Sequence, residues 1–329
     1  MSTVYILEQG TKVEKKSKLL IVKKDEKVLL EIPEFKVERV FIFGNVQLTT
    51  QAIKFLLESG IDTAFFTIYG KLVGKLISID SKNIMLRLAQ YKAFNNEEFK
   101  LLIAKNIVEG KIKNMRTVLQ KYNRNHPETN FSDLINELEN YINELKYKTR
   151  ISTVIGIEGC ASATYFKAFG KMFRRELQFT VRSKRPPKDP INALLSLGYM
   201  LITSEMFSIV SAMGFDPYLG FLHSVEYGRQ SLALDLIEEF RQVVIDRLTL
   251  EIINKEILKE EDFEEKEGGI YLKEDSMRKY FEHYERRMLT SFQDEDGNEI
   301  NFRKMFLKQA QKFAKSIQSG ISYTTFTIK

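Results

Sequence analysis

A short stretch in the second half of the chain combines one histidine with several carboxylates. Residues 220–242, GFLHSVEYGRQSLALDLIEEFRQ, contain His223, one of three histidines in the chain, and then Asp235, Glu238 and Glu239. Asp235 and Glu238 are three residues apart, so they project from nearly the same face of a helix. Carboxylates among apolar neighbours are costly unless a cation, a partner or a proton neutralises them. The stretch therefore predicts a divalent-metal site.

The helix that carries these carboxylates also has an apolar face. Its apolar residues recur at helical spacing and predict a helix packed into a core: Leu232, Leu236, Phe240, Val243 and Val244. The periodicity leaves open whether Glu238 or Glu239 faces inward. One imidazole with two or three carboxylates suits Mn²⁺ or Mg²⁺ better than structural zinc. The alternative is a solvated acidic face beside a structural histidine.

Glu158 is the third acidic candidate. It lies between Gly156 and Gly159 in IEGCASATYF, where we expect the backbone to bend before an Ala/Ser-rich helix. Two interpretations stay open at this point. Glu158 is either an acid favoured near a helix N-terminus by the macrodipole, or a ligand that joins His223 and the downstream carboxylates.

A basic segment follows Glu158 directly. Between residues 167 and 188 there is one glutamate and one run of cations, from which we select six candidate DNA contacts: Lys171, Arg174, Arg175, Arg182, Lys184 and Arg185. Such a run predicts a track for backbone phosphates. The alternative is a solvated helix face followed by an exposed loop. The interleaved phenylalanines are expected to anchor the helix rather than to stack on bases.

Composition places the chain among ordinary globular proteins. It has 329 residues, 43% of them hydrophobic and 29% charged, and a net charge of +6, which is compatible with a polyanionic partner. The single cysteine, Cys160, excludes an intramolecular disulfide and fits a reducing compartment. The N-terminus lacks the features of a secretory signal, and the apolar segment 191–215 is interrupted by polar residues, which favours a buried core helix over a membrane span. We therefore expect a cytoplasmic protein.

Periodicity divides the chain near residue 85. The first part contains short runs rich in Val, Ile and aromatic residues, with a period of two, and one short helix at residues 49–60. From about residue 81 the period changes to 3.6. The sequence predicts an α+β protein, with an N-terminal β domain at residues 1–85 and a larger all-α domain at residues 86–329 that contains one short hairpin near residues 268–273.

Other catalytic chemistries find little support. Cys160 has no matched histidine, and the glycines do not form a GxxxxGK[ST] phosphate loop. His126 and His283 have no metal-ligand partners at suggestive spacing. The acidic centre is therefore the main candidate site.

The motifs together resemble the CRISPR-associated integrase/endonuclease family, which inserts new spacers into CRISPR arrays. The resemblance rests on YILEQG, FIFGNVQLTTQAIKFLLESGI, IEG, GFLHS and LALDLIEEFR, in this order over some 240 residues. It implies an N-terminal β-sandwich domain and a C-terminal α-helical catalytic domain that holds one divalent ion, Mg²⁺ or Mn²⁺. The implied metal ligands are Glu158, His223 and Glu238, and Asp235 is implied as a supporting or alternative ligand.

The resemblance also implies neighbours and partners of the site. Tyr165 and Arg241 occupy positions that lie near the site in similar proteins, whereas Gln242 stands where similar proteins often have proline. The implied reaction is strand transfer, in which the 3′-hydroxyl of a spacer fragment attacks a phosphodiester of the CRISPR repeat, with branched DNA as a further substrate. The β domain is expected to form a homodimer that binds a small ferredoxin-like CRISPR-associated partner. The rival hypotheses are a structure-selective DNA or RNA nuclease and a non-catalytic DNA-binding scaffold.

Overall fold

Two compact units make up the chain. The computed structural model describes residues 2–77, 83–175, 177, 179–183 and 186–328. One unit, here called the β unit, comprises Met1–Asp80 together with Leu272–Phe281, and the other, the helical unit, comprises Ser81–Tyr271 and Glu282–Lys329. The N-terminal strands and the helical C-terminal region confirm the predicted mixed class with this order of elements.

The β unit is built from two four-stranded sheets and one helix. Its elements are β1 (Ser2–Ile6), β2 (Lys12–Lys16), β3 (Leu19–Lys24), β4 (Lys27–Pro33), β5 (Val37–Phe43), β6 (Gln47–Leu48), α1 (Thr50–Glu58), β7 (Asp62–Phe66) and β8 (Leu72–Leu76). The strand orders are β1-β5-β7-β8 and β4-β3-β2-β6. Strands β1, β5 and β7 are parallel, and β8 returns antiparallel to β7.

Both sheets of the β unit contribute to one apolar core. Val4 from β1, Leu20 from β3 and Val40 from β5 lie in the same buried cluster as Leu56 from α1. Helix α1 begins where the Thr49 hydroxyl oxygen accepts a hydrogen bond from the Ala52 amide at 3.1 Å. Burial of one face of each sheet fixes the register, because a shift of one residue would turn the apolar set outward.

The helical unit holds most of the helices. Its elements are α2 (Ile84–Phe94), α3 (Glu97–Asn125), α4 (Ser132–Leu145), α5 (Ile151–Gly170), α6 (Pro190–Met213), α7 (Ser231–Ile237), α8 (Arg247–Asn254), β9 (Phe263–Lys266), β10 (Gly269–Leu272), α9 (Glu274–Met288), β11 (Ser291–Gln293), β12 (Glu299–Asn301) and α10 (Phe302–Ser319); β10 and α9 extend across the boundary between the two units. Helix α3 packs against α4 and α5, and α6 packs against α7. The ion pairs of Lys111 on α3 with Glu158 on α5 and with Glu238, just after α7, bring these three helices together around the candidate site.

The second part of the chain is not all-α, and this expectation was wrong in detail. The pair β9–β10 corresponds to the hairpin expected near residues 268–273, but the pair β11–β12 was not predicted. Its turn closes through the Asp294 amide and the Asn298 carbonyl at 3.0 Å, with Gly297 at a φ of +82°. An Asp-Gly turn between short extended runs is a hairpin signal that the helical periodicity on either side obscured.

The longest apolar helix is α6. By length and composition it is the one helix among the described residues that passes as a candidate membrane span, yet 72% of its most apolar window is buried inside the protein. Asp189 caps its N-terminus by accepting a hydrogen bond from the Asn192 amide at 2.7 Å, and Gly214 ends it with a φ of +102°. Caps at both ends and burial along the length are typical of a core helix, as the sequence predicted.

Candidate metal centre

Asp235 holds the loop that carries His223. The Asp235 carboxylate accepts hydrogen bonds from the backbone amides of Phe221 at 2.5 Å, Leu222 at 2.9 Å and His223 at 3.0 Å. The loop comes this close because Gly220 has no side chain: a Cβ there would lie 2.8 Å from Asp235 Oδ2. Both carboxylate oxygens of Asp235 are thus engaged by the loop, which makes Asp235 a supporting group rather than a free ligand.

The same carboxylate orients the imidazole. Asp235 Oδ1 lies 2.6 Å from His223 Nδ1, so Nδ1 is the donor to this carboxylate. His223 Nε2 faces Glu238 Oε1 at 3.8 Å. A histidine whose second nitrogen is hydrogen-bonded to a carboxylate is the usual arrangement of a metal-ligating imidazole.

Glu158 and Glu238 face each other across one ammonium group. Lys111 on α3 contacts Glu158 Oε1 on α5, and its Nζ lies 2.6 Å from Glu238 Oε2. Glu158 also accepts a hydrogen bond from the Ser162 hydroxyl at 2.8 Å, and Glu238 Oε1 lies 3.1 Å from Arg241 Nη2. The structure therefore brings Glu158, His223 and Glu238 to one place, with Lys111 between the two glutamates.

The position of Glu158 differs from the expectation. It is the eighth residue of α5, and Gly156 and Gly159 both lie within that helix, so the backbone does not bend there. The macrodipole of a helix acts within its first turn. The interpretation of Glu158 as an acid placed at a helix N-terminus is therefore wrong.

The charges of the centre are mutually dependent. Burial by itself raises the pKa of Glu238, but the positive charges of Arg241 and Lys111 outweigh it and lower the pKa to about 2. Burial likewise lowers the pKa of Lys111, but Glu238 and Glu158 outweigh it and the net shift is upward. Both glutamates are therefore ionised and Lys111 is charged at neutral pH.

The donor set fits a hard divalent cation. Among the residues that the structure describes, no three His, Cys, Asp or Glu side chains are already grouped as metal ligands. However, Glu238 Oε2 is buried and lies 2.6 Å from the Lys111 ammonium, so this oxygen already faces a cation. Two carboxylates and one imidazole around a position that already holds a positive charge match the preferences of Mn²⁺ and Mg²⁺.

Glu239 points away from this centre, which answers the question that periodicity left open. Its Oε1 accepts a hydrogen bond from the Tyr323 hydroxyl at 2.5 Å, and its Oε2 accepts from Gln309 Nε2 at 3.1 Å and from the Phe326 amide. Burial raises the pKa of Glu239 to about 8, against the effect of these hydrogen bonds. Glu239 thus anchors the C-terminal segment, residues 320–328, and does not face His223.

Tyr165 and Arg241 belong to one buried network. Arg241 lies over the ring of Tyr199 at 4.7 Å while it pairs with Glu238, and the Tyr199 hydroxyl donates to Asp246. Tyr165 is fully buried, and this burial, followed by the negative charge of Asp246, raises its pKa. The network fixes the guanidinium that keeps Glu238 ionised.

The helix that carries Glu238 is interrupted, contrary to the expected continuous helix. Helix α7 ends at Ile237, and a π-helical turn, Arg241–Asp246, precedes α8. Gln242, where similar proteins often have proline, is buried within this turn. A π-turn inserts one extra residue, and such turns are frequent at functional sites. Here the turn follows Glu238, which faces the centre, and it ends at Asp246, which accepts a hydrogen bond from Tyr199.

The predicted phosphate track is only partly on the surface. Lys171, Arg174 and Arg175 are exposed. Arg182 instead points inward and donates hydrogen bonds to Asn192 Oδ1 at 2.7 Å and Ser196 Oγ at 3.1 Å, which differs from the expected phosphate contact. Lys184 and Arg185 lie outside the described residues. The phenylalanines of the segment pack against one another, as predicted for a helix anchor.

Lys111 is the functional residue that sequence reasoning missed. It lies on the apolar face of α3, among Ile107, Val108, Ile112 and Met115, all of them buried. A lysine on the apolar face of an amphipathic helix requires a buried partner of opposite charge. That position was the available signal, because no spacing rule links Lys111 to Glu158 or Glu238.

Comparison with known proteins identifies the family. The family model described as CRISPR associated protein Cas1 matches residues 4–286. The chain is 33% identical over 333 residues to CRISPR-associated endonuclease Cas1 3 of Thermus thermophilus, covering 100% of this chain and 98% of that protein. The chain therefore belongs to the Cas1 family of CRISPR-associated proteins, as the motifs indicated.

Solved structures show the same fold. A Cas1 protein from Thermotoga maritima superposes with a TM-score of 0.85 at 25% identity, and the match covers 100% of both chains. A Cas6-RT-Cas1–Cas2 complex superposes with a TM-score of 0.86 at 25% identity, covering 100% of this chain and 36% of that one. The match to the second structure is thus confined to about a third of a larger chain.

Proposed function

We propose that this protein is a divalent-metal-dependent DNA endonuclease and integrase of CRISPR adaptation. Membership of a family whose relatives are named endonucleases supports nuclease activity. The observation that carries the proposal is the pair Glu158 and Glu238, ionised on either side of one cation, beside an imidazole whose Nδ1 is held by Asp235 and whose Nε2 faces Glu238. This arrangement serves phosphodiester chemistry, in which alignment and charge neutralisation matter most.

Glu158, His223 Nε2 and Glu238 would hold Mg²⁺ or Mn²⁺. When bound there, the ion would supply Lewis-acid polarisation of a phosphate and stabilisation of an attacking or leaving oxygen. Asp235 fixes the tautomer and direction of His223. Arg241 keeps Glu238 ionised and restrains it at 3.1 Å.

The DNA supplies the nucleophile in this proposal. In integration the 3′-hydroxyl of a spacer fragment attacks a phosphodiester of the CRISPR repeat, and in cleavage of branched DNA water attacks. Exposed Lys171, Arg174 and Arg175 would contact backbone phosphates. These contacts would position the strand but carry no sequence information.

We also propose a homodimer formed through the β unit. Strand β4 is the edge of its sheet, and its residues Val28, Leu29 and Leu30 are 42%, 44% and 37% exposed. Phe35, just after this strand, is 73% exposed. An apolar edge of this kind is suited to pairing with a second copy. Replacing Val28 and Leu30 by lysine is expected to give a monomer in light scattering, whereas a dimer in that variant would exclude this edge.

A small ferredoxin-like CRISPR-associated protein is the partner that we propose for the dimer. The similarity to a chain of a Cas6-RT-Cas1–Cas2 complex supports assembly with a second adaptation protein. Co-purification of the two proteins on size exclusion tests the complex directly.

The single cysteine, Cys160, supports a cytoplasmic location, because it fits a reducing compartment.

A strand-transfer assay tests the proposed function. Wild type, Glu158→Gln and His223→Ala are incubated with a spacer-like fragment and repeat-containing DNA in Mn²⁺, Mg²⁺ or EDTA. We expect joined products that need the metal and disappear in both variants. Cleaved ends without joining would assign a structure-selective nuclease, and DNA binding without joining or cleavage in any metal would assign a scaffold. Variants that join DNA as wild type does would exclude the metal site.

A further inference from the structure

The helical unit contains a cavity lined by cationic side chains, away from the metal centre. A cavity of about 470 Å³ opens between the C-terminal part of α3, the start of α8, the end of α9 and the C-terminal segment. Lys121 on its wall is ten residues beyond Lys111, which corresponds to about 15 Å along α3. The cavity is therefore distinct from the metal centre, although residues of α3 line both.

Positive charge dominates the wall of this cavity. Lys121, Arg247 and Arg287 line it, and none of the three forms an ion pair with a carboxylate in the part of the chain that the structure describes. Glu251 is the acid that acts on Arg247 and Arg287, and it is held by Lys255 at 2.7 Å.

The acids of the cavity wall are also engaged. Asp294 lies 2.9 Å from Lys308, and Glu295 contacts Lys312, itself a wall residue. In the described part of the chain, Lys121, Arg247 and Arg287 therefore lie in no ion pair with a carboxylate, and the charge of Glu251 that acts on the two arginines is shared with Lys255.

Arg287 shows the imbalance most clearly. Its Nη2 donates to the Val243 carbonyl and its guanidinium lies 5.1 Å from the ring centroid of Phe302, so the side chain is held in place. Its Nε is buried and has no hydrogen-bond partner. Burial, and then the charge of Arg247, lowers the pKa of Arg287 to about 10. A fixed, partly desolvated cation with an unused donor is a group that an anion would stabilise.

The rest of the wall suits a nucleotide. Phe292, Phe302 and Phe326 supply aromatic surface, and Thr290 and Thr324 supply hydroxyl groups. The volume lies within the range of small-ligand pockets and admits one nucleotide unit, but not a duplex. Bases of single strands stack on aromatic side chains, while basic groups follow the backbone.

We propose that this cavity binds a phosphate group together with its nucleoside, either as one unit of a single-stranded DNA end or as a free nucleotide. Lys121, Arg247 and Arg287 hold the phosphate, and the aromatic wall receives the base. The choice of DNA rests on the proposed function, but the phosphate site itself does not depend on catalysis at the metal centre.

The test measures binding rather than turnover. Lys121→Gln and Arg247→Gln, singly and together, leave Arg287 and its contacts in place. Lys315→Gln is the matched control, because Lys315 is exposed on α10 and does not line the cavity. Melting temperatures are measured with millimolar deoxynucleoside monophosphate or inorganic phosphate, and affinity for a short single-stranded DNA is measured across a salt series, all in EDTA.

We expect the nucleotide to raise the melting temperature of wild type and Lys315→Gln, and to leave the double variant unchanged. For single-stranded DNA, each lost phosphate contact should flatten the log–log salt slope by about 0.7. Stabilisation by nucleotide with an unchanged slope assigns the cavity to free nucleotides, and a flattened slope without stabilisation assigns it to a DNA strand. Equal behaviour of the double variant and Lys315→Gln in both measurements overturns the proposal, even if strand transfer remains metal-dependent.

Discussion

Replacing Lys111 by methionine removes the cation that lies between Glu158 and Glu238. The side chains of Lys111 and Glu238 are 7% and 4% exposed, so their charges are poorly solvated. Removing one member of a buried ion pair costs about 3–5 kcal/mol, since the other charge is left uncompensated. Arg241 still pairs with Glu238 at 3.1 Å, so Glu158 is the carboxylate that loses most of its compensating charge. We therefore expect a loss near the lower limit, about 3 kcal/mol.

The assay is thermal unfolding in EDTA and in Mn²⁺. For a domain of 150–250 residues, about 3 kcal/mol corresponds to a decrease in melting temperature of roughly 6–12 °C. Mn²⁺ should restore more stability to Lys111→Met than it adds to wild type, because in wild type the ion has to displace the ammonium group.

The matched control is Lys113→Met, two residues along the same helix. Lys113 is 44% exposed and pairs with Glu109 on its own helix, so its replacement should change stability by less than about 0.5 kcal/mol. If Lys111→Met and Lys113→Met had the same melting temperature in EDTA, the two carboxylates would not need the charge of Lys111 for stability. That result would refute the electrostatic reasoning for the centre.

Three further predictions concern the neighbours of the centre. Asp235→Asn should weaken Mn²⁺ binding about 10–100-fold, because His223 loses the carboxylate that fixes its tautomer, and titration calorimetry against wild type checks this. Arg241→Gln should move the acid limb of Mn²⁺ binding to higher pH, because the charge of Arg241 helps to hold the pKa of Glu238 at about 2; an unmoved limb would contradict that role. Glu239, with a pKa raised to about 8, binds its proton in the folded state and not in the unfolded state between about pH 4.5 and pH 8, so wild type should lose stability across this window relative to Glu239→Gln. Urea unfolding at pH 5 and pH 8 measures the change, and a constant difference between the two proteins would exclude a neutral Glu239.

The core of the metal-site helix was predictable from its pattern. Leu232, Leu236 and Phe240 recur at helical spacing and are fully buried, as expected. The π-turn that follows was not predictable, because the apolar period changes by only one residue and no glycine or proline marks the interruption. Helical spacing also left Glu238 and Glu239 equivalent, and tertiary contacts with Lys111 and Tyr323 separate them.

Long-range contacts account for most of what the sequence did not indicate. The wrong local expectation for Glu158 arose because two glycines suggested a bend, whereas packing of α5 against α3 and α4 keeps the helix intact. Arg182 was expected to contact a DNA phosphate because its segment is basic, yet it donates hydrogen bonds to Asn192 and Ser196 instead. Such partners lie elsewhere in the chain and are invisible to a local pattern.

Mn²⁺ binding to Glu238→Gln and Glu239→Gln, followed by electron paramagnetic resonance or calorimetry, tests the central claim most directly. The two variants make the same chemical change at adjacent residues, one facing Lys111 and His223 and the other facing Tyr323. The account predicts that Glu238→Gln loses the Mn²⁺ signal at concentrations that saturate wild type, and that Glu239→Gln keeps it. Equal binding by the two variants would contradict a metal centre built on Glu158, His223 and Glu238.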